Sequence, residues 1–529
     1  MSIGSVAVVD SPASAEVEET LAAWRGQFSA PDADLAHLLC DGHDPEATAF
    51  LFASFDGGKA RSSRLTYGQL REKSARFASA LQARGVGRGD RVAVLMGKSP
   101  SLVVALLGIW RLGAVHVPLF TAFAPPAIEM RVRAAGAKLV VTDADQRPKL
   151  QALEREAGVV VIEAGATFDQ LIEDHAPIDR NEAVGGDGAM IVLYTSGTTG
   201  TPKGVTVPVC ALASFCSYMH FGLDVSEDDV FWNAADPGWA YGLYYAILGP
   251  LALGRPNVML AGGFSAAATQ AVVEELGVTN LAAAPTVYRA LRKDGLRLAR
   301  PLRRASSAGE PLTPDVNAWA VEALGTEVRD HYGQTEHGMM IVNAWHDTVS
   351  RPVPEGSMGR PLPGFAAAIL DGQIVLDTER SSLMWFTGYA DAPDKTAERF
   401  TADGRWYLTG DLGREADGLF YFASRDDDLI IMAGYRISPF EVESVLSSHP
   451  AVAESAAVGL PDDLRGEVLV AFVVLNDAAQ ASPALERELQ QLVKDQFAAH
   501  AYPRAVNFVD QLPKTPSGKV QRFRLRQKP

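Results

Sequence analysis

The sequence predicts an α/β protein with a large multi-sheet N-terminal domain and a smaller α+β C-terminal domain. Apolar, strand-like runs alternate with helical patterns over roughly the first 400 residues, and that alternation is typical of βαβ units and parallel sheets. The pattern changes after the acidic run 426–428, where the remaining residues carry helices and strands of their own. A chain of 529 residues is also long enough for several domain-sized units. We therefore expect domains at 1–425 and 426–529.

The elements of the large domain follow from local signals. Thr66 is a plausible N-cap for a helix that begins with Tyr67. Buried strands and apolar or amphipathic helices then alternate, with predicted strands at 91–96, 114–120, 139–143, 189–194, 230–234, 257–260 and 280–284 and predicted helices at 101–112, 127–135 and 266–276. In the small domain Ser438 and Pro439 favour a helix start, strands are expected at 455–460 and 467–476, and an amphipathic helix is expected at 485–497.

Composition excludes several classes of protein. The formal net charge is −16, from 48 basic and 64 acidic residues, which argues against general affinity for nucleic acid or for an anionic membrane. Three cysteines, an odd number without zinc-site spacing, indicate free thiols in a reducing compartment. The first residues lack the basic and apolar regions of a signal peptide, and the apolar runs are too short to span a bilayer. We expect a cytoplasmic protein.

A glycine- and hydroxyl-rich stretch follows the predicted strand 189–194. Five of the seven residues from Thr195 to Thr201 carry a hydroxyl, and the other two are glycine. Glycine lets the backbone approach an anion closely, and successive N–H groups can then converge on one phosphate. The stretch is not a Walker P-loop, because Pro202 precedes Lys203 and Gly204 follows it. A phosphate-binding loop is the favoured interpretation, and an ordinary surface loop is the alternative.

Three further motifs carry groups suited to chemistry. The stretch 330–336 ends in Glu336, and a carboxylate there could hold Mg²⁺ together with substrate phosphates. Asp411 closes the stretch 407–411, where it could accept two hydrogen bonds or merely form a turn. Lys519 ends the stretch 513–519, where it could stabilise developing negative charge or be a solvated surface lysine.

The wording of residues 195–204, Thr-Ser-Gly-Thr-Thr-Gly-Thr-Pro-Lys-Gly, resembles the signature loop of the adenylate-forming enzymes. These are the acyl-CoA synthetases, the nonribosomal-peptide adenylation domains and the luciferases. The other motifs occur in the family's order, and the resemblance extends from about Leu65 to Arg526. It implies contacts with ATP or AMP from Thr195, Ser196, Gly197, Thr198, Thr199, Gly200, Lys203, Gly309, Glu310, Pro311, Asp330, His331, Tyr332, Gly333, Gln334, Thr335, Asp411, Arg425 and Lys519.

The resemblance also implies roles for individual residues. Glu336 would bind Mg²⁺, and Lys519, Glu336 and Thr195 would act in adenylate formation. Asp427 would be the hinge about which a mobile small domain turns. Residues expected to meet CoA are Ala433, Gly434, Tyr435, Arg436 and Arg465. One departure is Ser424, where the family usually has glycine; the residues after it match.

Within the family the run 427–443 and the segment 232–239 look most like medium-chain acyl-CoA synthetases. Acetate-specific relatives carry Trp-Trp before Gln-Thr-Glu, and here those positions are Tyr332 and Gly333. The missing aromatic surface predicts an acid larger than acetate, of medium-chain, branched or aromatic type. Trp239, Gly333 and Gly338 are candidate walls of the acyl pocket. The expected substrates are thus a carboxylic acid, ATP and CoA.

Other functions remain open. A short-chain (acetyl or propionyl) CoA synthetase is one alternative, and a stand-alone enzyme that loads a carrier protein is another. A luciferase-like oxygenase would use the same scaffold, whereas a non-catalytic binding protein is disfavoured by the presence of Lys519, Glu336 and Asp411. The motif around Lys519 also resembles the acetylation site of related synthetases, so a protein acetyltransferase is a possible partner. Acetylation would remove the charge of Lys519.

Overall fold

The computed structural model describes residues 6–11, 14–195, 203–425, 428–432, 435–462, 466–476, 481–497, 501–515 and 519–527. Its first stretch contains β1 (Val9–Asp10), α1 (Ala15–Phe28), β2 (Thr48–Asp56), β3 (Lys59–Thr66), α2 (Tyr67–Gln82), β4 (Arg91–Leu95), α3 (Pro100–Arg111), β5 (Val115–Pro118), α4 (Pro125–Ala135), β6 (Leu139–Thr142), α5 (Gln151–Ala157), β7 (Val160–Glu163) and α6 (Ala166–Asp174).

The middle of the chain continues the alternation of strands and helices. It contains β8 (Ala189–Thr195), β9 (Lys203–Pro208), α7 (Leu212–Ser217), β10 (Phe231–Asn233), α8 (Ala240–Gly242), α9 (Gly249–Leu253), β11 (Asn257–Ala261), α10 (Ala266–Leu276), β12 (Asn280–Ala283), α11 (Pro285–Lys293), β13 (Arg304–Ala308), α12 (Pro314–Ala323), β14 (Val328–Gln334) and β15 (Gly338–Val342). Two π-helical turns, Tyr218–Gly222 and Leu243–Leu248, extend α7 and α8.

Short strands dominate the end of the large domain. They are β16 (Arg360–Pro361), β17 (Ala366–Leu370), β18 (Gln373–Asp377), β19 (Tyr389–Ala390), β20 (Trp406–Ala416) and β21 (Leu419–Arg425), with helix α13 (Pro393–Ala397) between β19 and β20. The last part of the chain contains β22 (Ile430–Met432), β23 (Tyr435–Ile437), α14 (Pro439–Ser447), β24 (Val452–Asp462), β25 (Gly466–Leu475), α15 (Pro483–Gln496), β26 (Ala505–Phe508) and α16 (Arg522–Arg526).

Two extended sheets carry the α/β part of the large domain. In the described residues one has the order β19-β9-β8-β5-β4-β6-β7, and the other has the order β16-β15-β14-β13-β12-β10-β11-β2-β3. The central strands of both sheets are parallel, whereas β9, β19, β3, β15 and β16 add antiparallel edges. Strands β5 and β6 are buried along their whole length, as expected where helices cover both faces of a parallel sheet. The predicted α/β architecture is therefore confirmed.

Several sheets were expected in the large domain, but a wholly antiparallel sheet was not. Strands β1, β17, β18, β20 and β21 form it in that order, and every pairing is antiparallel. Asp411 lies inside β20 rather than on the tight turn expected for it, although Gly410 before it has a φ of 75°. The motif 330–336 lies on β14 and on the turn that joins β14 to β15.

The C-terminal residues form a small α+β unit with cores of its own. Its sheet has the order β23-β22-β25-β24, and β26 pairs with β25 in parallel. Helices α14 and α15 pack on one face of the sheet, whereas Leu512 and Leu525 pack on the other. Both clusters are built only from small-domain residues. The boundary between residues 425 and 426 stays a prediction.

The cysteines are free thiols. Cys40 and Cys216 are buried, and Cys210 is half-buried. Burial raises the pKa of Cys40 to about 12 and the pKa of Cys210 to about 11, and it raises the pKa of Cys216 as well. Within the described part of the chain, no helix has the length and apolar character needed to cross a membrane.

Candidate active site

The ends of the predicted phosphate loop are fixed by a hairpin. Strands β8 and β9 are antiparallel, and their register pairs Thr195 with Lys203. The Thr195 hydroxyl donates to the Lys203 carbonyl at 3.5 Å. Residues 196–202, which include the predicted phosphate contacts Ser196, Gly197, Thr198, Thr199 and Gly200, lie outside the described residues.

Tyr389 brings the end of this hairpin together with Glu336. Strand β19 pairs with β9, so that the Lys203 ammonium lies 5.1 Å from the centre of the Tyr389 ring. The Tyr389 hydroxyl donates to Glu336 Oε1 at 2.7 Å, and it accepts a hydrogen bond from Arg399 Nε at 3.1 Å. Partial burial lowers the pKa of Lys203, and the positive charges of Arg399 and Lys395 lower it further. The cluster thus combines two cations and one carboxylate.

Glu336 has the surroundings that a Mg²⁺ ligand needs. It lies in the turn between β14 and β15, and 8% of its surface is exposed. Tyr389 orients Oε1, while Oε2 accepts no hydrogen bond from the residues described. No cluster of three metal-ligating side chains occurs among those residues. One oriented carboxylate fits Mg²⁺, because this ion usually takes one or two carboxylates and completes its shell with water and substrate phosphates.

The second and third sequence motifs meet at Asp411. Tyr332 Oη and Gln334 Nε2 both donate to Asp411 Oδ2, each at 2.6 Å. Tyr407 Oη donates to Gln334 Oε1 at 3.1 Å and so fixes the orientation of the amide. Gln334 Nε2 also reaches the Thr409 carbonyl at 2.9 Å. The carboxylate is therefore held in one orientation by donors from a neighbouring sheet.

Asp330 joins the motif on β14 to the segment 309–311. Ser307 Oγ donates to Asp330 Oδ1 at 2.9 Å, and the Leu312 N–H donates to Oδ2 at 3.2 Å. Burial raises the pKa of Asp330 to about 7, although these hydrogen bonds oppose the rise. Glu310 forms an ion pair with Arg289 at 2.7 Å. The predicted nucleotide segment 309–311 and Asp330 are thus adjacent.

His331 is a core residue. Its Nδ1 lies 2.7 Å from Tyr218 Oη, and its Nε2 lies 3.2 Å from the Asn343 carbonyl oxygen. Burial lowers the pKa of His331 to about 3, so the ring is neutral. Both ring nitrogens have protein partners, and the nucleotide contact expected for His331 has no support from its side chain. The carbonyl oxygen of Thr335 accepts a hydrogen bond from Tyr244 Oη at 3.0 Å.

The structure gives Gly333 a different role from the one expected. A Cβ atom at Gly333 would lie 2.2 Å from the carbonyl oxygen of Gly338, on the facing strand β15. Gly338 has a φ of 73°, and its own Cβ would lie 2.6 Å from Tyr245 Oη. The register of the hairpin shifts between Tyr332 and Gly333. The glycine is required by the close approach of the two strands, and the direction of its missing side chain does not open space for an acyl group.

An aromatic cluster behind this hairpin was not identified from the sequence. It consists of Phe215, Tyr218, Tyr241, Tyr244 and Tyr245, whose rings contact one another. Tyr245 Oη accepts a hydrogen bond from the Met339 N–H at 2.8 Å. The spacing of the three tyrosines from 241 to 245 on one helical face was the available signal. Trp239 packs elsewhere, with its ring centre 5.1 Å and 5.5 Å from those of Phe120 and Phe123.

Lys519 is exposed and lies in the small domain on the second of two facing segments, 511–515 and 519–521, which are called the Lys519 hairpin. Lys514 and Val520 form an isolated antiparallel bridge. The Thr515 N–H donates to the Lys519 carbonyl at 2.7 Å, and the Lys519 N–H donates to Thr515 Oγ1 at 3.1 Å. The large domain supplies the Glu336 and Asp411 clusters, and the small domain supplies Lys519.

Other predicted residues cannot be placed in the site. Asp427, Ala433, Gly434 and Arg465 lie outside the described residues. Arg425, Tyr435 and Arg436 are described only as strand backbone, at the end of β21 and in β23.

Two family matches cover most of the chain. Residues 41–384 match the family described as AMP-binding enzyme, and residues 441–519 match the AMP-binding enzyme C-terminal domain. Among curated proteins, the acetyl-coenzyme A synthetase of Bacillus subtilis (strain 168) is 35% identical over 496 residues, covering 87% of this chain and 84% of that protein. The mitochondrial acyl-coenzyme A synthetase ACSM3 of Mus musculus is 34% identical over 505 residues, covering 89% and 85%.

Solved structures give the same result. The crystal structure of Brucella canis acyl-CoA synthetase is 41% identical with a TM-score of 0.73, and the match covers 96% of this chain and 98% of that one. A benzoate CoA ligase from Burkholderia xenovorans LB400 is 30% identical with a TM-score of 0.80, covering 93% and 100%. The matches thus extend over most of each chain, and those to the solved structures include the fold.

Proposed function

Since this chain belongs to the AMP-binding enzymes, and within them to the AMP-forming acyl-CoA synthetases, we propose that it joins a medium-chain, branched or aromatic carboxylic acid to CoA. The reaction has two halves. A carboxylate oxygen first attacks the α-phosphorus of ATP, the bond to pyrophosphate breaks, and an acyl adenylate forms. The CoA thiol then attacks the acyl carbonyl, its proton is released, and AMP leaves with both electrons of the broken C–O bond.

Two ordered clusters of the large domain carry this proposal: Lys203 and Glu336 meet at Tyr389, and Asp411 is held by Tyr332 and Gln334. Lys203 and the loop before it would hold the terminal phosphates of ATP, while Asp411 would accept hydrogen bonds from the ribose hydroxyls. Glu336 would hold Mg²⁺, which when bound supplies positive charge to the phosphates. Because Tyr389 fixes Glu336 while Tyr332 and Gln334 fix Asp411, these groups need little rearrangement when the nucleotide binds.

Lys519 is the proposed cation for the first half-reaction. Negative charge builds on the α-phosphate during attack, and an ammonium group stabilises it. The hairpin that carries Lys519 lies in the small domain, so a rotation about Asp427 would exchange this hairpin for the predicted CoA residues around Gly434. Lys519→Ala should then abolish adenylate formation but spare thioester formation from supplied acyl adenylate. Lys494→Ala, on α15 of the same domain, is the control; loss of both half-reactions in Lys519→Ala would contradict the assignment.

The acid is proposed from the relatives and the sequence. The benzoate CoA ligase favours an acid larger than acetate. The run 427–443 and the segment 232–239, which resemble medium-chain acyl-CoA synthetases, favour it as well. A short-chain synthetase is the second candidate, because the Bacillus subtilis relative is an acetyl-coenzyme A synthetase.

A substrate panel decides between these functions. Pyrophosphate release is measured with ATP and Mg²⁺ for acids from acetate to decanoate and for benzoate, with and without CoA. We expect turnover that requires CoA and that is faster with butyrate or longer acids than with acetate. Faster turnover of acetate would establish the short-chain alternative. Release that is indifferent to CoA would indicate an enzyme that loads a carrier protein instead.

Regulation by acetylation of Lys519 is a further part of the proposal. Lys519 is exposed, and acetylation would remove the charge on which the first half-reaction depends. Incubation with a protein acetyltransferase and acetyl-CoA should add one acetyl group, seen by intact-mass analysis, and should lower adenylate formation in parallel. Absence of modification at Lys519, or full activity after modification, would remove this hypothesis.

A further inference from the structure

The hairpin that carries Lys519 is joined to the rest of the small domain by apolar and charged contacts, and its own Val520 packs against the cluster that contains Leu512 and Leu525. Leu512 before it and Leu525 after it are buried against β24 and β25. Lys514 adds an ion pair with Glu454 at 2.7 Å, in which both side chains are about one-third exposed. Such a pair contributes little by itself. Better shielded charged contacts follow the hairpin in sequence.

Arg522, three residues after Lys519, forms charged contacts that are more buried than the pair of Lys514 with Glu454. One terminal nitrogen of its guanidinium donates to both carboxylate oxygens of Glu443 at 2.8 Å, and the other donates to Asp428 at 3.3 Å. The exposed fractions of the Arg522, Asp428 and Glu443 side chains are 22%, 18% and 13%. Arg526 adds a second ion pair with Asp428 at 3.0 Å. Little solvent is available to screen these charges.

The contact of Arg522 with Glu443 joins elements that pack on opposite faces of the sheet. Glu443 lies on α14, which packs on one face, whereas Leu525 and its segment pack on the other. Glu443 Oε1 also accepts a hydrogen bond from the Ala457 N–H on β24, at 2.8 Å. Arg522 therefore ties α16 to α14 around the edge of the sheet, with the backbone of β24 between them.

The contact with Asp428 reaches the point where the small domain begins. Asp428 follows directly after the predicted hinge Asp427 and precedes β22. Arg522 and Arg526 both bind it, so the helix after Lys519 is joined to the first described residues beyond the hinge. A rotation about the hinge would then move the Lys519 hairpin and the start of the domain as one body.

We propose that Arg522 is a positioning residue for adenylate formation: held between Glu443 and Asp428, it fixes the hairpin that presents Lys519 to the reacting phosphate. This inference rests on the proposed function. A cation stabilises a transition state only if it is held at the right place beforehand, and a displacement of about 1 Å can cost on the order of 100-fold in rate. Arg522 itself contacts no substrate.

The test separates the two half-reactions in the full-length protein. Arg522→Gln should slow adenylate formation, measured by pyrophosphate exchange with ATP, by about 30-fold, equivalent to about 2 kcal/mol in the barrier. Thioester formation from supplied acyl adenylate should stay within about threefold, because it depends on a different part of the small domain. Arg522→Lys, which keeps the charge but not the two-sided fork, should give an intermediate rate. Arg524→Gln, an exposed arginine of the same helix, is the matched control and should change neither half-reaction.

Hydrogen exchange gives a readout independent of activity. In Arg522→Gln the amides of residues 511–527 should exchange at least tenfold faster, while those of α15 should exchange as in the wild type. If Arg522→Gln does not fold, Arg522→Lys carries the same test, because it keeps a positive charge between Glu443 and Asp428 but cannot bind both in the same way.

Three results would overturn the inference. An unchanged rate of adenylate formation in a folded Arg522→Gln would exclude a positioning role. Equal losses in both half-reactions would indicate that Arg522 serves only the stability of the domain. Equal effects of Arg522→Gln and Arg524→Gln would indicate a general effect of surface charge. Failure of the proposed function is distinguishable from all three, because the wild type would then form no acyl-CoA with any acid of the panel.

Discussion

Asp330 titrates unlike an ordinary aspartate. Burial raises its pKa to about 7, well above the value of about 3.9 expected in an unfolded chain. Between these values the folded protein binds more protons at this site than the unfolded chain does, so its contribution to stability is present at low pH and is lost as the pH rises towards 7. Above that pH a charged carboxylate is held in a mostly buried place.

Asp330→Asn tests the direction in which stability changes with pH. The amide is neutral at every pH, so the fall in the free energy of unfolding from pH 5 to pH 8 should be smaller in the variant than in the wild type. Urea unfolding at both values measures the difference, and Glu322→Gln, at an exposed position of α12, is the control. An identical fall in wild type and Asp330→Asn would show that Asp330 is not the group responsible.

At the residue scale, the sequence identified groups that stand in recognisable motifs. Glu336, Asp411 and Lys203 were singled out, and the structure places Lys203 beside Tyr389 and Glu336. Tyr389 and Arg399 were missed, because a single tyrosine or arginine outside a motif looks like any partly buried residue. Tyr389 reaches the site through the pairing of β19 with β9, and Arg399 reaches it through its hydrogen bond to Tyr389. A contact between segments as far apart in sequence as β9 and β19 has no local signal.

At the scale of an element, Gly333 shows that a local motif does not predict how closely two strands approach. Its motif suggested a widened acyl pocket, but the β14–β15 hairpin brings Gly338 O to where a Cβ atom would stand. Gly333→Ala should therefore lower the free energy of unfolding by about 3 kcal/mol, and activity should fall for all acids alike. Chemical unfolding and the acid panel measure the two effects. A stable variant with a narrowed acid range would restore the pocket interpretation.

The start of α2 was predicted from its sequence and is present in full. The Gln69 N–H donates to Thr66 Oγ1 at 3.2 Å, and the Thr66 N–H donates to Gln69 Oε1 at 3.1 Å. Thr66→Ala should lower the free energy of unfolding by about 1 kcal/mol and leave turnover unchanged, as the cap contacts none of the active-site clusters. Thr66→Ser, which keeps the hydroxyl, should behave as the wild type. A loss of activity without a loss of stability would contradict this structural role.

The antiparallel sheet of the large domain could have been found from two turns. Asp371-Gly372 joins β17 to β18, and Asp417-Gly418 joins β20 to β21. All four residues have positive φ values, between 51° and 81°. Asp-Gly between strand-like runs is a strong signal for such two-residue turns. The order of the strands was beyond prediction, because β1 comes from the distant N-terminus.

At the scale of the whole molecule, the apolar cores of the two domains are separate. The clusters of the small domain include no large-domain residue, and the reverse also holds, in the part of the chain that is described. Elements that pack in one apolar core unfold together in one cooperative transition. The two domains should therefore unfold in distinguishable transitions.

ATP provides a test of this independence. At a concentration 100 times its dissociation constant, ATP should stabilise the large domain by about 2.7 kcal/mol. Calorimetry with ATP and Mg²⁺, without acid, should shift the large-domain transition upward and leave that of the small domain in place. Hydrogen exchange assigns each transition. A joint shift of both transitions would mean that the nucleotide couples the domains before adenylate forms.

The raised pKa values of the three cysteines affect the choice of assay. A disulfide reagent attacks thiolates, and at about pH 7.5 the raised pKa values leave the protein's thiols almost wholly protonated. The thiol of CoA carries no such shift and stays reactive. Dithiobis-nitrobenzoate added to samples of the reaction should thus measure the CoA that remains, through the absorbance of the coloured product. It should react with the enzyme's own thiols far more slowly than with CoA.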